Sequence, residues 1–248
     1  MPEDDLAGQI RTRLAGLAAA GVEWLPRAPA PPARVLVPID GGRVVVADAA
    51  SPDGRRRELA LLAERVCTCD RCPELVATRT QTVFGIGPVG ADICFIGEAP
   101  GFDEDRAGEP FVGPAGQMLN RIIAACELRR EDIYLCNILR CRPPGNRQPK
   151  PEEAANCREY LDRTLELVRP NVICCWGGTA AQNLLGSTIG ITQLRGKWYE
   201  YRDIPVLCTF HPAALLEGRS PEKKKYVWED MKMLLTKLGR PLPGAKKG

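Results

Sequence analysis

Asp92-Ile93-Cys94-Phe95-Ile96-Gly97-Glu98-Ala99-Pro100-Gly101 reads as a short apolar strand that runs out into a glycine and proline turn. Three more runs have the same character: Ile133 to Ile138 (IYLCNI), Val172 to Trp176 (VICCW) and Pro205 to Phe210 (PVLCTF). Between and after them, amphipathic stretches predict helices over Pro114 to Leu128, Pro151 to Val168, Thr179 to Leu185 and Pro221 to Leu238. Proline stands at the start of several of these, where its missing N–H costs the helix nothing. Alternating strands and helices predict a three-layer α/β/α fold around a central, mainly parallel, four-stranded sheet. Ligands bind such sheets beyond the carboxyl ends of the strands. The polar motifs of this chain all fall at those ends and are expected to converge there.

Upstream, Asp5 to Ala20 shows apolar residues at helical spacing, Pro26 to Pro32 is a proline and alanine linker, and Arg34 to Ile39 with Arg43 to Ala47 predicts a hairpin turned at Asp40-Gly41-Gly42. Residues 1–55 therefore form an accessory region with no evident chemistry, 56–240 the main domain, and 241–248 a tail.

The chain has 248 residues, 44% of them apolar, enough for a sizeable core. A net charge of +3 against 26% charged residues means that attraction to a polyanion must come from local clusters. Arg55 to Arg57, Arg140 to Lys150 and Lys223 to Lys225 are the candidates. The acidic start is followed by no long apolar segment, which predicts a cytoplasmic protein without a membrane anchor. His211 is the sole histidine, which rules out two-histidine zinc sites and most zinc deaminase arrangements.

Eleven cysteines in a reducing compartment are expected as thiols or metal ligands. Cys94, Cys136, Cys174, Cys175 and Cys208 lie in strand-like runs and read as small buried hydrophobes. Cys69-x2-Cys72 and Cys141-x15-Cys157 are different, because four thiolates can hold either a zinc ion or an iron-sulfur cluster. Cys67 is an extra thiol in the first pair's run and competes for that assignment. Cys141 opens Cys141-Arg142-Pro143-Pro144-Gly145-Asn146-Arg147, whose arginines beside such a staple suggest contact with phosphates.

Gly97 to Gly101 (GEAPG), Gly108 to Gly116 (GEPFVGPAG), Asn137 ahead of CRPPGNR, and His211 to Leu216 (HPAALL) follow one another in the order found in family 4 uracil-DNA glycosylases, the iron-sulfur branch of that superfamily. The chain closely resembles that family over roughly residues 65–240. The resemblance implies a uracil-DNA glycosylase fold and a DNA repair hydrolase that cuts the N-glycosidic bond of uracil, with no second lyase activity. It also implies a 4Fe-4S cluster on Cys69, Cys72, Cys141 and Cys157. The expected partners are uracil-containing DNA, single or double stranded, and replication or repair proteins. No membrane partner is expected, and the chain is expected to be a monomer.

The resemblance also assigns roles that the side chains suit. Such an enzyme must extrude its nucleotide and read the base in a pocket. Phe111 would stack on the base, and Gly97 belongs to the same binding loop. The Asn137 carboxamide can pair with uracil N3–H and O4 together, whereas cytosine presents the opposite polarity. Glu104 would exclude the thymine methyl. His211 would donate to uracil O2 as charge develops there. Related families carry an aspartate where this chain has Ala99, so Glu98 is the expected aid to water. Leu215 and Leu216 would wedge into the duplex, or belong to the core, and Arg219 would meet phosphates. A non-catalytic or covalently trapping uracil-binding protein on the same scaffold is the alternative. Relatives that trap the base carry a different first motif and a basic insertion with a further histidine, so turnover is the expectation. A zinc module that merely binds nucleic acid would explain the cysteines but leave the pocket motifs without a purpose.

Overall fold

The computed structural model describes residues 35–38, 44–47, 51–216 and 221–244. The expected helix over Asp5 to Ala20, the linker over Pro26 to Pro32, and Arg219 lie outside the described residues. Strands β1 (Val35–Pro38) and β2 (Val44–Ala47) pair antiparallel, with Val35 opposite Ala47. Helix α1 (Pro52–Cys67) begins at Ser51, whose hydroxyl accepts the Gly54 N–H at 3.0 Å, and α2 (Pro73–Thr78) follows.

The main sheet then starts with β3 (Ile93–Gly97), followed by α3 (Phe102–Ala107), α4 (Pro114–Ala125) and β4 (Ile133–Asn137). Next come α5 (Pro151–Val168), β5 (Val172–Trp176), α6 (Gly178–Leu185), α7 (Ile191–Leu194), β6 (Trp198–Tyr201), β7 (Ile204–Thr209) and α8 (Pro221–Lys237). The strand order is β4-β3-β5-β7-β6. The first four run parallel, and β6 pairs antiparallel with β7.

Alternation along the strands splits the core into two layers. Phe95, Cys174, Trp176 and Leu207 face the side covered by α4 and α8, where Leu119, Ile123, Met231 and Leu234 meet them. Ile96, Cys136, Ile173 and Cys208 face α5 and α6, against Leu161, Leu165, Ala181 and Leu184. Strands buried on both faces read as continuous apolar runs, which is why they stood out in the sequence. Cys94, Cys136, Cys174, Cys175 and Cys208 are all completely buried, and burial pushes the Cys174 thiol far up.

The sheet has five strands rather than the expected four. The extra one, β6, turns back into β7 through Arg202 and Asp203, whose φ values of 48° and 64° make a turn with both central residues left-handed. Glycine or asparagine usually marks such a turn, so Arg202-Asp203 left little signal. The chain leaves β3 toward β4 and then crosses back over β3 to reach β5. That reversal opens the crevice at the carboxyl ends of β3 and β5.

Beneath that end, the Asp230 carboxylate on α8 takes bonds from Arg195 at 2.6 and 3.1 Å and from the Thr209 hydroxyl at 2.6 Å. Burial raises the Asp230 pKa although both partners lower it, so the network specifies how α8 docks more than it adds stability. Breaking it leaves Arg195 with only the more distant Glu229 carboxylate at 3.9 Å and the Tyr226 carbonyl at 3.0 Å. Asp230→Asn is expected to cost about 3 kcal/mol in urea unfolding. A loss under about 1 kcal/mol would show that α8 docks through apolar contacts alone.

Candidate active site

Phe111 sits in the loop between α3 and α4 with φ 58°, a left-handed conformation that a bulky side chain adopts at a cost of about 1–3 kcal/mol. Two features hold it there. One Glu104 carboxylate oxygen accepts the N–H groups of Val112 and Gly113 at 3.0 and 2.9 Å, and the other accepts that of Gly101 at 3.0 Å. The first turn of α4 also presses on the loop, since a Cβ on Gly116 would stand 1.9 Å from the Phe111 carbonyl oxygen. Only glycine permits that approach. The Phe111 ring is 5% exposed.

Strand β3 ends at Gly97, opposite Asn137 at the end of β4. A Cβ on Gly97 would lie 2.4 Å from Asn137 Oδ1 and 2.5 Å from Phe111 Cζ, so amide and ring edge meet at one point that glycine leaves open. Asn137 is 3% exposed, yet its side-chain amide bonds to no described residue. An amide left open in this way can both donate to and accept from a ligand.

His211 follows β7. Its Nδ1 accepts the Ala213 N–H at 3.2 Å, which leaves the proton on Nε2. Burial pulls its pKa down to about 4, against a smaller upward pull from Glu104, so the ring is neutral. Its centroid lies 6.4 Å from that of Phe111, with the planes tilted by 30°. An aromatic ring, an amide and a neutral imidazole donor therefore surround one small space.

The other expected site residues are placed less uniformly. Glu98 is half-buried, and its carboxylate has no partner among the described residues. Glu104, expected as a wall against a methyl group, has both oxygens committed to backbone amides. Leu215 is buried in the core at 2% exposure and cannot wedge into a duplex from this conformation, which corrects the expected pair. Leu216 is only partly buried at the edge of the same cluster.

Cys69, Cys72, Cys141 and Cys157 gather in one cluster walled by Leu62, Val66, Leu75 and Leu139. Cys67 is exposed and takes a bond from the Thr82 hydroxyl at 3.5 Å instead. Arg79 Nη1 lies 3.0 Å from Cys141 Sγ, and Asn156 Nδ2 lies 3.6 Å from Cys72 Sγ. Arg140, 1% exposed, bonds through Nη2 to Thr164 at 3.1 Å, while its Nε and Nη1 have no partner among the described residues. Its charge is felt at Cys157 and at Cys136, and a buried guanidinium without a carboxylate among the described residues is costly unless something anionic accompanies it. The donor set and these cations fit a negatively charged thiolate-bound group. Burial pushes the Cys157 thiol up to about 11, so metal binding must displace its proton.

The Uracil DNA glycosylase superfamily pattern matches residues 84–232, more than half of the chain. The chain belongs to that superfamily. Its relatives include the Type-4 uracil-DNA glycosylase of Archaeoglobus fulgidus, 42% identical over 190 residues, which cover 73% of this chain and 94% of the relative. That of Thermotoga maritima is 41% identical over 179 residues, covering 71% and 93%. That of Sulfurisphaera tokodaii is 38% identical over 185 residues, covering 71% and 83%. These are the relatives expected of a type-4 member of the superfamily.

For this superfamily member the sequence motifs named the groups that face the pocket but not those that hold them. Gly116 lay within a recognised motif without its reason, and nothing marked Arg79 or Asn156 as neighbours of the thiols. Gly116→Ala is expected to cost about 3 kcal/mol, the upper end for overpacking, because the new methyl meets backbone. Thermal unfolding checks this. An unchanged melting temperature would mean that the Phe111 loop shifts freely.

Proposed function

We propose that the chain is a uracil-DNA glycosylase that hydrolyses the bond between uracil and deoxyribose, releasing free uracil and leaving an abasic site. The single observation that carries this reading is the convergence of Phe111, Asn137 and neutral His211 on one small space. Phe111 stacks on the flipped base, a contact worth about 1–3 kcal/mol. Asn137 pairs with N3–H and O4, and its mismatch with cytosine costs about 1–3 kcal/mol. Phe111 and Gly97 close the pocket floor, and Glu104 acts as a positioning residue through the Phe111 loop.

In the reaction, the oxygen of water bonds to C1′ and the C1′–N1 bond breaks, with its electron pair moving onto the uracil ring. His211 Nε2–H donates to O2, where that charge develops. Glu98 orients the water and takes its proton, which ends on uracil N1 through solvent. Leu216 would contact the duplex beside the flipped base, and Arg219 a phosphate.

Cys69, Cys72, Cys141 and Cys157 would hold a 4Fe-4S cluster. Four thiolates accept either a single zinc ion or an iron-sulfur cluster, and the motifs shared with family 4 glycosylases select the cluster. When bound it supplies a covalent brace, not a reacting centre. The residues around it join α1, β4 and α5 beside the pocket.

Because the folded pKa of His211 lies near 4, below the ordinary 6.5, its neutral donor persists through pH 5 to 8. Uracil release from an oligonucleotide should show no titration from His211 in that range. His211→Asn should slow the single-turnover rate about 10²- to 10³-fold. A rate controlled by a group titrating at 6.5 in the wild type, and lost in the variant, would refute the neutral donor. The sign for stability is opposite to that of a paired histidine. The unfolded chain takes a proton below about pH 6.5 and the folded chain does not until about 4, so this contribution is present above 6.5 and lost as pH falls.

Uracil release followed by strand cleavage in alkali distinguishes hydrolysis from a covalent adduct or simple retention of substrate. Iron and sulfide analysis with a visible spectrum tests the cluster. Cys141→Ala should lose colour and DNA binding together, whereas Cys67→Ala should keep its iron. A colourless, iron-free and fully active wild-type preparation would exclude the cluster.

A further inference from the structure

Phe102 is the first residue of α3, directly after the GEAPG loop, and is 50% exposed. It is more exposed than any other large apolar side chain among the described residues. Two guanidiniums lie against its ring, Arg106 at 5.6 Å and Arg142 at 5.0 Å from the centroid. Arg142 donates from Nε to Asn146 Oδ1 at 2.7 Å, and neither arginine forms an ion pair with a described carboxylate. The comparison with Tyr226 is informative. That ring is also exposed and also carries an arginine, Arg195, but Arg195 is neutralised by Asp230 at 2.6 Å. At Phe102 both cations remain uncompensated.

The ledge is built into the pocket. Gly101, just before Phe102, gives its N–H to Glu104, whose other oxygen braces the backbone beside Phe111. Arg142 follows Cys141, one of the four clustered thiols, five residues after Asn137. Exposed aromatic surface with cations at its rim suits a polyanion whose bases are free to stack, because ring and base faces attract and guanidiniums meet phosphates. Duplex DNA offers the phosphates but keeps its bases stacked on one another.

We propose that Phe102, Arg106 and Arg142 form a binding ledge for the unpaired strand flanking the flipped uracil, with Phe102 stacking on a neighbouring base and the two arginines holding its phosphates. This rests on the glycosylase reading of the pocket and adds to it a source of preference for single-stranded substrate. The ledge binds strand; it has no part in breaking the glycosidic bond.

The test uses the holoprotein and a fluorescent uracil-containing oligonucleotide, single stranded or annealed to its complement, with binding followed by anisotropy across a salt series. Phe102→Leu keeps apolar bulk without the ring and should weaken single-strand binding about tenfold, while changing duplex binding less than about twofold. Phe102→Trp should bind single strands at least as well as the wild type. Arg106→Gln and Arg142→Gln should each lower the single-strand salt slope by about 0.7. Because Phe102 and Arg106 are exposed, the melting temperatures of their variants should match the wild type. Equal losses on both substrates, no loss at all, or a tryptophan variant as weak as the leucine one would overturn the ledge. Uracil release by the wild type, measured alongside, keeps the two readings apart. Normal release with unaltered variant binding removes the ledge only, and no release from either substrate removes the glycosylase reading on which it stands.

Discussion

Every group that faces the pocket depends on the backbone of Phe111 staying in a conformation it would not choose. Its left-handed φ of 58° is sustained by the three amide bonds to Glu104 and by the absence of a side chain at Gly116. Each charge-assisted bond to a carboxylate contributes about 1.5–3 kcal/mol, so three of them comfortably exceed the cost of one strained residue. The result is an aromatic ring presented at a fixed height above the end of β3. A ring on a relaxed loop would sample other positions and lose the stacking energy to disorder.

The pocket and the thiol site share a strand. Asn137 closes β4, and the pairing with the β3 side continues beyond it, through Ile138 N–H to the Gly97 carbonyl at 2.9 Å and Leu139 N–H to the Glu98 carbonyl at 3.1 Å. The chain thus reaches Arg140 and Cys141 without a flexible joint. Arg140 turns into the core beside Thr164, and Arg79 reaches Cys141 from the loop after α2. Arg79 beside Cys141 and Arg140 close enough to be felt at Cys157 both favour the thiolate form. Order around the thiols therefore passes directly to Asn137.

Much of the fold was legible because burial on both faces forces long apolar runs, and those runs set β3, β4, β5 and β7 within a residue or so. The antiparallel β6 was not, since its run is short, aromatic and half-exposed, and its turn uses arginine and aspartate where glycine would have announced it. In the site, legibility followed chemistry. Asn137 and His211 carry hydrogen-bonding side chains at or just after the ends of β4 and β7, and Phe111 lies in a glycine and proline loop, so all three stood out. Glu104 carries an equally conspicuous group, but its partners are main-chain amides of Gly101, Val112 and Gly113, and main-chain partners leave no side-chain pattern. Leu215 failed for the converse reason: an apolar residue has no signature that separates a wedge from a core contact, and here three-dimensional packing decides.

The neutrality of His211 ties these parts together. A charged imidazole would be the stronger partner for a departing anion, yet the enclosed pocket suppresses it, and the Ala213 N–H selects the tautomer that still donates. A neutral donor in a site of low dielectric stabilises developing charge without first drawing a carboxylate to itself. Glu104 lies close enough to be felt at His211, and a cationic ring there would compete for the carboxylate that braces Phe111. Keeping the imidazole neutral therefore protects the strained loop, so the Phe111 ring and the His211 N–H donor depend on the same burial.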